Sequence, residues 1–472
     1  MQIRTILVAG AIVALAALSF LSPSQATPQD DARDQPVFAY YYLWWGNNSW
    51  QTKLGPNYPY SQTPHPLPAT TDAGGCNAVS LYEGNKLVDV DANTFWSLDD
   101  PGRILYDVQT AAAAGLKGFI VNWNGTGDPN QTITSTTNGN NQRLDALVNV
   151  VNQVNAEGTD FKLWVSYKAS STIRTLAQFQ GDLTYFINSY GTSPAFDKRS
   201  NKPVFMWTGS RKYSLLPDPL DPLAASIQAV GNQFRPSLYL IGDESHNTWG
   251  RGVARYLDGD AYYWSSQNPY TNQQSFTQLR ELATAVRSTT NPDGSAKMFF
   301  APLAPGYNSY LNGGTTCVPR NDGVRETMKL LFEGNANSNP DAWAFISWNE
   351  IAENTHLVPL AKWGSYHLTY LGTLIDTDGD KARNSQELFM TTNPLDNCNA
   401  TSIVNDEPVD AWPPDADDNK YINIGDVVIL FNGRILKPPR YQMRSDFDQD
   451  GAIDIGDVII QGKWGPQLST CT

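Results

Sequence analysis

Two kinds of segment alternate along the chain. Short runs that are apolar almost throughout, beginning with Val37–Trp45, suit strands buried on both faces. Between them lie longer stretches whose apolar residues recur at helical spacing. The strands predicted in this way are Val37–Trp45, Gly118–Trp123, Phe161–Tyr167, Pro203–Trp207, Leu238–Ile241, Ala261–Trp264, Met298–Ala301 and Trp343–Ser347. The helices predicted between them are Pro101–Leu116, Leu144–Glu157, Leu176–Tyr190, Leu223–Phe234, Phe276–Ser288 and Arg325–Glu333, with Leu357–Thr369 closing the ring. Pro101 and Gly115 punctuate the first helix, and Gly158 stops the second. A long connection rich in Pro, Gly, Asn and Ser, Asn47–Asp99, reads as a functional loop or lid. Strands alternating with helices in this order predict an α/β fold, a (β/α)8 TIM barrel over residues 35–371.

In such a barrel the working residues sit just past the strand C-termini. There the chain places Tyr41, Trp44 and Trp45, then Asn122 and Trp123, then Asp243 and Glu244, then Trp264, and finally Asn349, Glu350, Glu353 and His356. Each alone is as compatible with packing as with binding. Their recurrence at one end of successive strands is the signal. Aromatic faces stack on the C–H faces of sugars, and hydroxyls need Asn, Asp and Glu partners, so a carbohydrate ligand is predicted. The 14 Trp and 22 Tyr add little weight, because barrel cores also use aromatics. A net charge of −14 argues against a nucleic-acid partner. Two neighbouring carboxylates push their pKa values apart, so Glu350 and Glu353 can divide acid and base roles. Glycoside hydrolysis needs that division. Asn349 and His356 are candidates to orient a carboxylate or a sugar hydroxyl, and Asp243 and Glu244 are reserve candidates. The plainer reading is that Glu350 and Glu353 only cap a helix.

Residues 1–26 read as a secretory signal, with Arg4, an apolar run Ile6–Leu21 and small residues at Ser24–Ala26. The run is short for a membrane span, so no span is expected after cleavage, and the location predicted is extracellular or cell-surface. Four cysteines suit an exported protein. Of the three pairings they allow, Cys76–Cys317 with Cys398–Cys471 is preferred.

The last hundred residues carry much of the acidic charge in loops with calcium-ligand spacing. Within a linker, 372–400, Asp376, Asp378, Asp380, Asn384 and Glu387 occupy ligand positions, with Lys381 where Gly is usual. Two further loops repeat in one register over 410–466. The first offers Asp415, Asp417, Asn419, the Tyr421 carbonyl, Asn423 and Asp426, with Lys420 where Gly is usual. The second offers Asp446, Asp448, Asp450, the Ala452 carbonyl, Asp454 and Asp457. Each runs into an apolar helix. Asp at position twelve followed by a Val/Ile helix resembles dockerin modules, which implies a small helical EF-hand-like domain, structural Ca2+ and a cohesin-type protein partner. An intramolecular docking role is the alternative.

The run Ser347-Trp348-Asn349-Glu350-Ile351-Ala352-Glu353-Asn354-Thr355-His356-Leu357-Val358-Pro359 resembles the signature of glycoside hydrolase family 99, the endo-α-mannosidases and endo-α-mannanases, and of related family 71-like barrels. The resemblance implies Glu350 as general base on the sugar 2-hydroxyl, Glu353 as general acid on the leaving oxygen, and retention through an anhydro-sugar. No cofactor serves the chemistry. Ile351 replaces the family's Trp, Asn354 its Gly and Val358 its later Glu. The third strand ends Ser166-Tyr167-Lys168, without the family's carboxylate, so a different specificity is implied. The predicted function is a secreted retaining endo-α-mannosidase- or α-glucanase-like hydrolase of α-linked polysaccharide or oligosaccharide. The competing prediction is a non-catalytic carbohydrate-binding barrel anchored through the dockerin-like module.

Overall fold

The computed structural model describes residues 32–46, 97–126, 139–167, 175–210, 222–245, 249, 253–309, 314–320, 326–360, 363–376, 384, 421–430, 453–464 and 467–468. The chain divides into two compact units, Ala32–Thr377 and a second made of Asp378–Thr472 with Met1–Asp31. The signal segment, residues 47–96, Cys76, Cys398 and Cys471 lie outside the described residues, and with them both preferred disulfide pairings. Cys317 itself carries no free thiol. No described helix is long and apolar enough to cross a membrane.

The large unit is a closed barrel of eight parallel strands: β1 Val37–Tyr42, β2 Gly118–Asn122, β3 Lys162–Tyr167, β4 Lys202–Trp207, β5 Tyr239–Gly242, β6 Gly259–Ala261, β7 Met298–Leu303 and β8 Ala342–Phe345. Each pairs with its sequence neighbour, and β1 pairs with β8, Phe38 standing opposite both Gly118 and Ala344. β1 and β2 are buried along their whole length, as continuous apolar runs demand. Aromatic rings fill the interior: Phe38 stacks on Trp164 at 3.6 Å between centroids, and Trp164 meets Phe300 edge-on at 4.9 Å. Gly118 is required there, because a Cβ would lie 2.8 Å from the Phe38 ring and 1.9 Å from the Lys162 carbonyl oxygen.

Helices cover the outside: α1 Pro101–Ala113, α2 Asn140–Ala156, α3 Leu176–Tyr190, α4 Pro222–Phe234, α5 Gln274–Arg287, α6 Thr327–Ala336 and α7 Tyr366–Gly372. Asp100 caps α1 by accepting from Gly102 N, and Thr175 with Gln178 forms a capping box on α3. Gly115 and Gly158 leave α1 and α2 in the left-handed region, at φ 82° and 104°.

Several element bounds differ from the sequence-based expectation by a few residues, and three differences change the picture. β1 ends at Tyr42, and Leu43–Trp45 turn away. β6 is Gly259–Ala261 and not Ala261–Trp264. Its Gly-Asp-Ala sequence carries no apolar signature, yet Gly259 sits against the Met298 carbonyl and Asp260 is buried. The aromatic run that follows is loop. The last helix starts at Tyr366 and not Leu357, because Leu357 and Val358 donate their amides back to Ser347 and Trp348.

In the C-terminal unit, helix α8 Ile424–Ile429 and helix α9 Ile455–Trp464 open identically. Asn423 accepts from Gly425 N at 2.7 Å while donating its own amide to Asp426 at 2.7 Å. Asp454 accepts from Gly456 N at 2.6 Å and donates to Asp457 at 2.7 Å. Asp426 and Asp457 are buried. Tyr421–Ile422 pairs antiparallel with Gln467–Leu468. Asp378, Asp380, Glu387, Asp415, Asp417, Asn419, Asp446, Asp448, Asp450 and Ala452 lie outside the described residues. Asn384 is buried, and Asp376 belongs to the barrel unit, its amide donating to the Arg33 carbonyl.

Candidate active site

Past β8 the chain folds into a tight, self-bonded turn. Ser347 N donates to the Thr355 carbonyl and Leu357 N to the Ser347 carbonyl, both at 2.8 Å. The Ser347 hydroxyl accepts from Glu350 N at 2.8 Å and lies 3.0 Å from the Thr355 hydroxyl. Ile351–Glu353 forms a single 3-10 turn, ended by Asn354 at φ 53°. Asn tolerates this left-handed conformation, so it can stand where the resemblance has Gly. Glu350 is buried and Glu353 half-buried on this turn.

Three tyrosines answer the two carboxylates. Tyr42, at the end of β1, lies with its hydroxyl 2.8 Å from that of Tyr263, in the loop after β6. Burial first, then the charges of Glu350 and Glu353, push the Tyr42 phenol well above its ordinary value. Burial, the Tyr42 phenol and Glu353 do the same to Tyr263. Tyr307, after β7, is pushed up to about 12 by burial and then by Glu353 and Glu350. All three are therefore neutral O–H donors at physiological pH. Half-buried Trp44 stacks on Tyr42 with centroids 4.4 Å apart.

The remaining predicted site residues divide into those near this centre and those spent on the scaffold. Tyr41 is fully buried and donates to Asp107 of α1 at 2.9 Å, so it faces the helix layer. The period of two along β1 makes Tyr42 the mouth residue. Trp45 is also fully buried. Trp123 donates its indole N–H to Asn141 of α2 and packs beside Tyr185, again in the helix layer. Asn122 ends β2 beside Ser166. Asn349 clamps the Tyr42 backbone, accepting from its N–H at 2.7 Å and donating to its carbonyl at 3.1 Å, and so joins β1 to the β8 turn. Asp243 accepts from Gly209 N and Tyr263 N, at 2.7 and 3.0 Å, stitching together the loops after β4, β5 and β6. Glu244 accepts from the Ser210 hydroxyl at 2.5 Å, and its amide donates to Asp260. Both carboxylates thus serve backbone and hydroxyl donors in the interior. Trp264 is half-buried against Tyr262. His356 is buried against Arg320, which donates to its carbonyl at 2.7 Å.

At the end of β3 the Ser166 hydroxyl pairs with that of Thr208 at 2.5 Å, and Tyr167 donates to Asp182 of α3 at 2.6 Å. Among the described residues this strand brings hydroxyls, not a carboxylate, to its C-terminal end. No group of three or more His, Cys, Asp or Glu among the described residues is placed to hold a metal ion.

No family model matches the chain, and no curated protein matches it. Among solved structures, the GH99 endo-alpha-mannosidase of Bacteroides thetaiotaomicron in complex with bis-tris-propane is similar over 72% of this chain and 96% of its own, at 17% identity and TM-score 0.50. The barrel has the fold of that mannosidase. A second structure of the GH99 endo-alpha-mannosidase from that organism covers 73% of this chain and 96% of its own, at 16% identity and TM-score 0.49. A glycoside hydrolase-like protein covers 75% and 96%, at 12% identity and TM-score 0.46.

Tyr42, Tyr263 and Tyr307 are the residues that sequence reasoning missed. Strand alternation carries a signal for Tyr42. Tyr263 sits in a run that mimics a strand, and Tyr307 in a loop without pattern.

Proposed function

We propose that this chain is a secreted glycoside hydrolase that cuts α-linked mannan- or glucan-type chains internally, with retention of configuration. One observation carries the reading: a single self-bonded turn past β8 carries Glu350 and Glu353, and their charges reach the neutral phenols of Tyr42, Tyr263 and Tyr307 at the strand C-termini.

In this reading Glu350 takes the proton of the sugar 2-hydroxyl, and O2 attacks the anomeric carbon. Glu353 gives its proton to the departing glycosidic oxygen as the C1–O bond breaks, leaving a 1,2-anhydro sugar. By microscopic reversibility Glu353 then deprotonates a water that attacks C1, and O2 recovers its proton from Glu350. Two inversions at C1 give net retention. The phenols donate to sugar hydroxyls or to a carboxylate oxygen. Trp44 offers an aromatic face to the ring C–H groups. The fold shared with a GH99 endo-alpha-mannosidase supports the substrate class.

The C-terminal unit is proposed to bind structural Ca2+ through the Asp415–Asp426 and Asp446–Asp457 loops. The identical opening of α8 and α9 supports this, with a buried Asp at position twelve of each loop. Bound ions would stiffen loops too small to be held by a core of their own. Ile424 and Val428 on α8, and Ile455 and Ile459 on α9, are exposed apolar pairs at matching register. They support docking to a cohesin-type partner.

The test is hydrolysis of α-mannan and α-glucan panels by wild type, Glu350→Gln and Glu353→Gln. Wild type is expected to release oligosaccharides, and each variant to lose about 10²–10⁴-fold in rate while still binding. A wild type that binds glycan and releases nothing makes the barrel a carbohydrate-binding module instead.

A further inference from the structure

We infer that Arg320 is a positioning residue that sets the geometry of the turn carrying Glu350 and Glu353, without touching substrate. The inference rests on the hydrolase reading of that turn.

Arg320 follows the short hairpin of Tyr307–Asn308 with Cys317–Val318, beyond β7. The residue is 1% exposed. No carboxylate among the described residues forms an ion pair with it, and burial lowers its pKa to about 9, opposed by the charge of Glu326. A buried cation that no carboxylate pairs with directly is costly. Here its donors go to neutral acceptors on one structure, the return limb of the β8 turn and the helix behind it. Nη2 donates to the His356 carbonyl at 2.7 Å, and Nε to His367 Nε2 at 3.3 Å. The guanidinium carbon lies 4.9 Å from the centre of the Trp363 ring.

Both routes end beside Glu353. His356 is three residues beyond it. The Trp363 indole N–H donates at 3.3 Å to the side chain of Asn354, the left-handed residue that ends the 3-10 turn. Ser347 holds the other limb through Glu350 N and the Thr355 hydroxyl. Arg320 therefore closes the side of the turn that Ser347 leaves open. Its stem also packs under the hairpin that carries Tyr307: a Cβ on Gly306 would fall 2.6 Å from Arg320 Cγ. One side chain thus fixes the carboxylate turn and a phenol facing it relative to each other.

The test uses Arg320→Lys and Trp363→Phe in the full chain. Lys keeps the charge but cannot hold carbonyl, imidazole and indole together. Trp363→Phe removes the N–H that Asn354 accepts and part of the aromatic face while leaving Arg320 in place, so it guards against misfolding of the first variant. A positioning role predicts kcat down about 10- to 100-fold in Arg320→Lys, with a smaller fall in Trp363→Phe. KM is expected to change less than about twofold, and the limbs of the pH–rate profile to move in both variants. Lowered thermal stability with unchanged kcat and pH profile would overturn it and leave a structural arginine. If wild type hydrolyses nothing, the hydrolase reading fails by itself. The positioning role is then read from carboxyl 13C NMR titrations of Glu350 and Glu353. Values displaced in Arg320→Lys support it, and superimposable titrations overturn it.

Discussion

Tyr263 is where a single atom separates binding from packing. Its hydroxyl faces that of Tyr42 at 2.8 Å, and Glu353 bears on its phenol. Removing the oxygen in Tyr263→Phe leaves the ring and its edge-on contact with Tyr40 in place. The expected result is a fall in kcat/KM of about 10- to 100-fold, the loss of one hydroxyl from the site, with little change in melting temperature. Steady-state kinetics beside a thermal melt check both. At this scale the sequence showed which residue types gather at the mouth but not which way each one points. Tyr41 and Tyr42 differ by one step along β1, and that step sends one hydroxyl to Asp107 and the other to Tyr263, where the charges of Glu350 and Glu353 reach it. Asn349 has the chemistry of a ligand residue, yet both ends of its amide are held by the Tyr42 backbone. Orientation of this kind depends on register and burial, which composition does not encode.

Loops and strand ends make the next level, and two carboxyl or imidazole groups can be weighed there. Asp243 satisfies two backbone N–H groups from separate loops. Asp243→Ala is expected to cost about 2–5 kcal/mol, from two buried donors left without it. Urea denaturation measures this, and an activity loss without a stability loss would restore Asp243 to the chemistry. His367 accepts from Arg320 at Nε2, so its proton sits on Nδ1. Burial, then Arg320 and His356, hold its pKa well below the ordinary imidazole value. The unfolded chain therefore takes up this proton first as pH falls. The neutral imidazole's contribution is fully present above about pH 6.5 and is lost as pH drops toward the folded value, at up to about 1.4 kcal/mol per pH unit. Stability curves of wild type and His367→Gln, which retains an acceptor for Arg320, are expected to converge as pH falls below 6.5. The same scale shows why β6 was misplaced. Gly259–Ala261 is held in the barrel by close approach and a buried carboxylate, neither of which shows as hydrophobicity, whereas the aromatic loop after it does.

For the whole molecule, the order of strands and helices was legible because buried parallel strands read as apolar runs and amphipathic helices as spaced ones. The helix Leu176–Tyr190 matches its sequence bounds to the residue, and the structure adds a capping box of Thr175 and Gln178 at its start. In the C-terminal unit α8 and α9, which follow the two loops repeated in the sequence, open in matched fashion. If calcium holds that unit, chelation with EGTA lowers its own unfolding transition while the barrel transition and glycan hydrolysis stay where they were. Calorimetry on the full chain resolves the two. A single transition insensitive to EGTA would remove the calcium proposal and leave the barrel reading untouched. The barrel reading itself turns on one outcome, the configuration of the first product. Proton NMR of the anomeric region, recorded as wild type cleaves an α-mannan or α-glucan oligosaccharide, is predicted to show the α-anomer appearing first. The signal should be absent in Glu350→Gln and Glu353→Gln. An initial β-anomer, or hydrolysis undiminished in both variants, would contradict the assignment of Glu350 and Glu353.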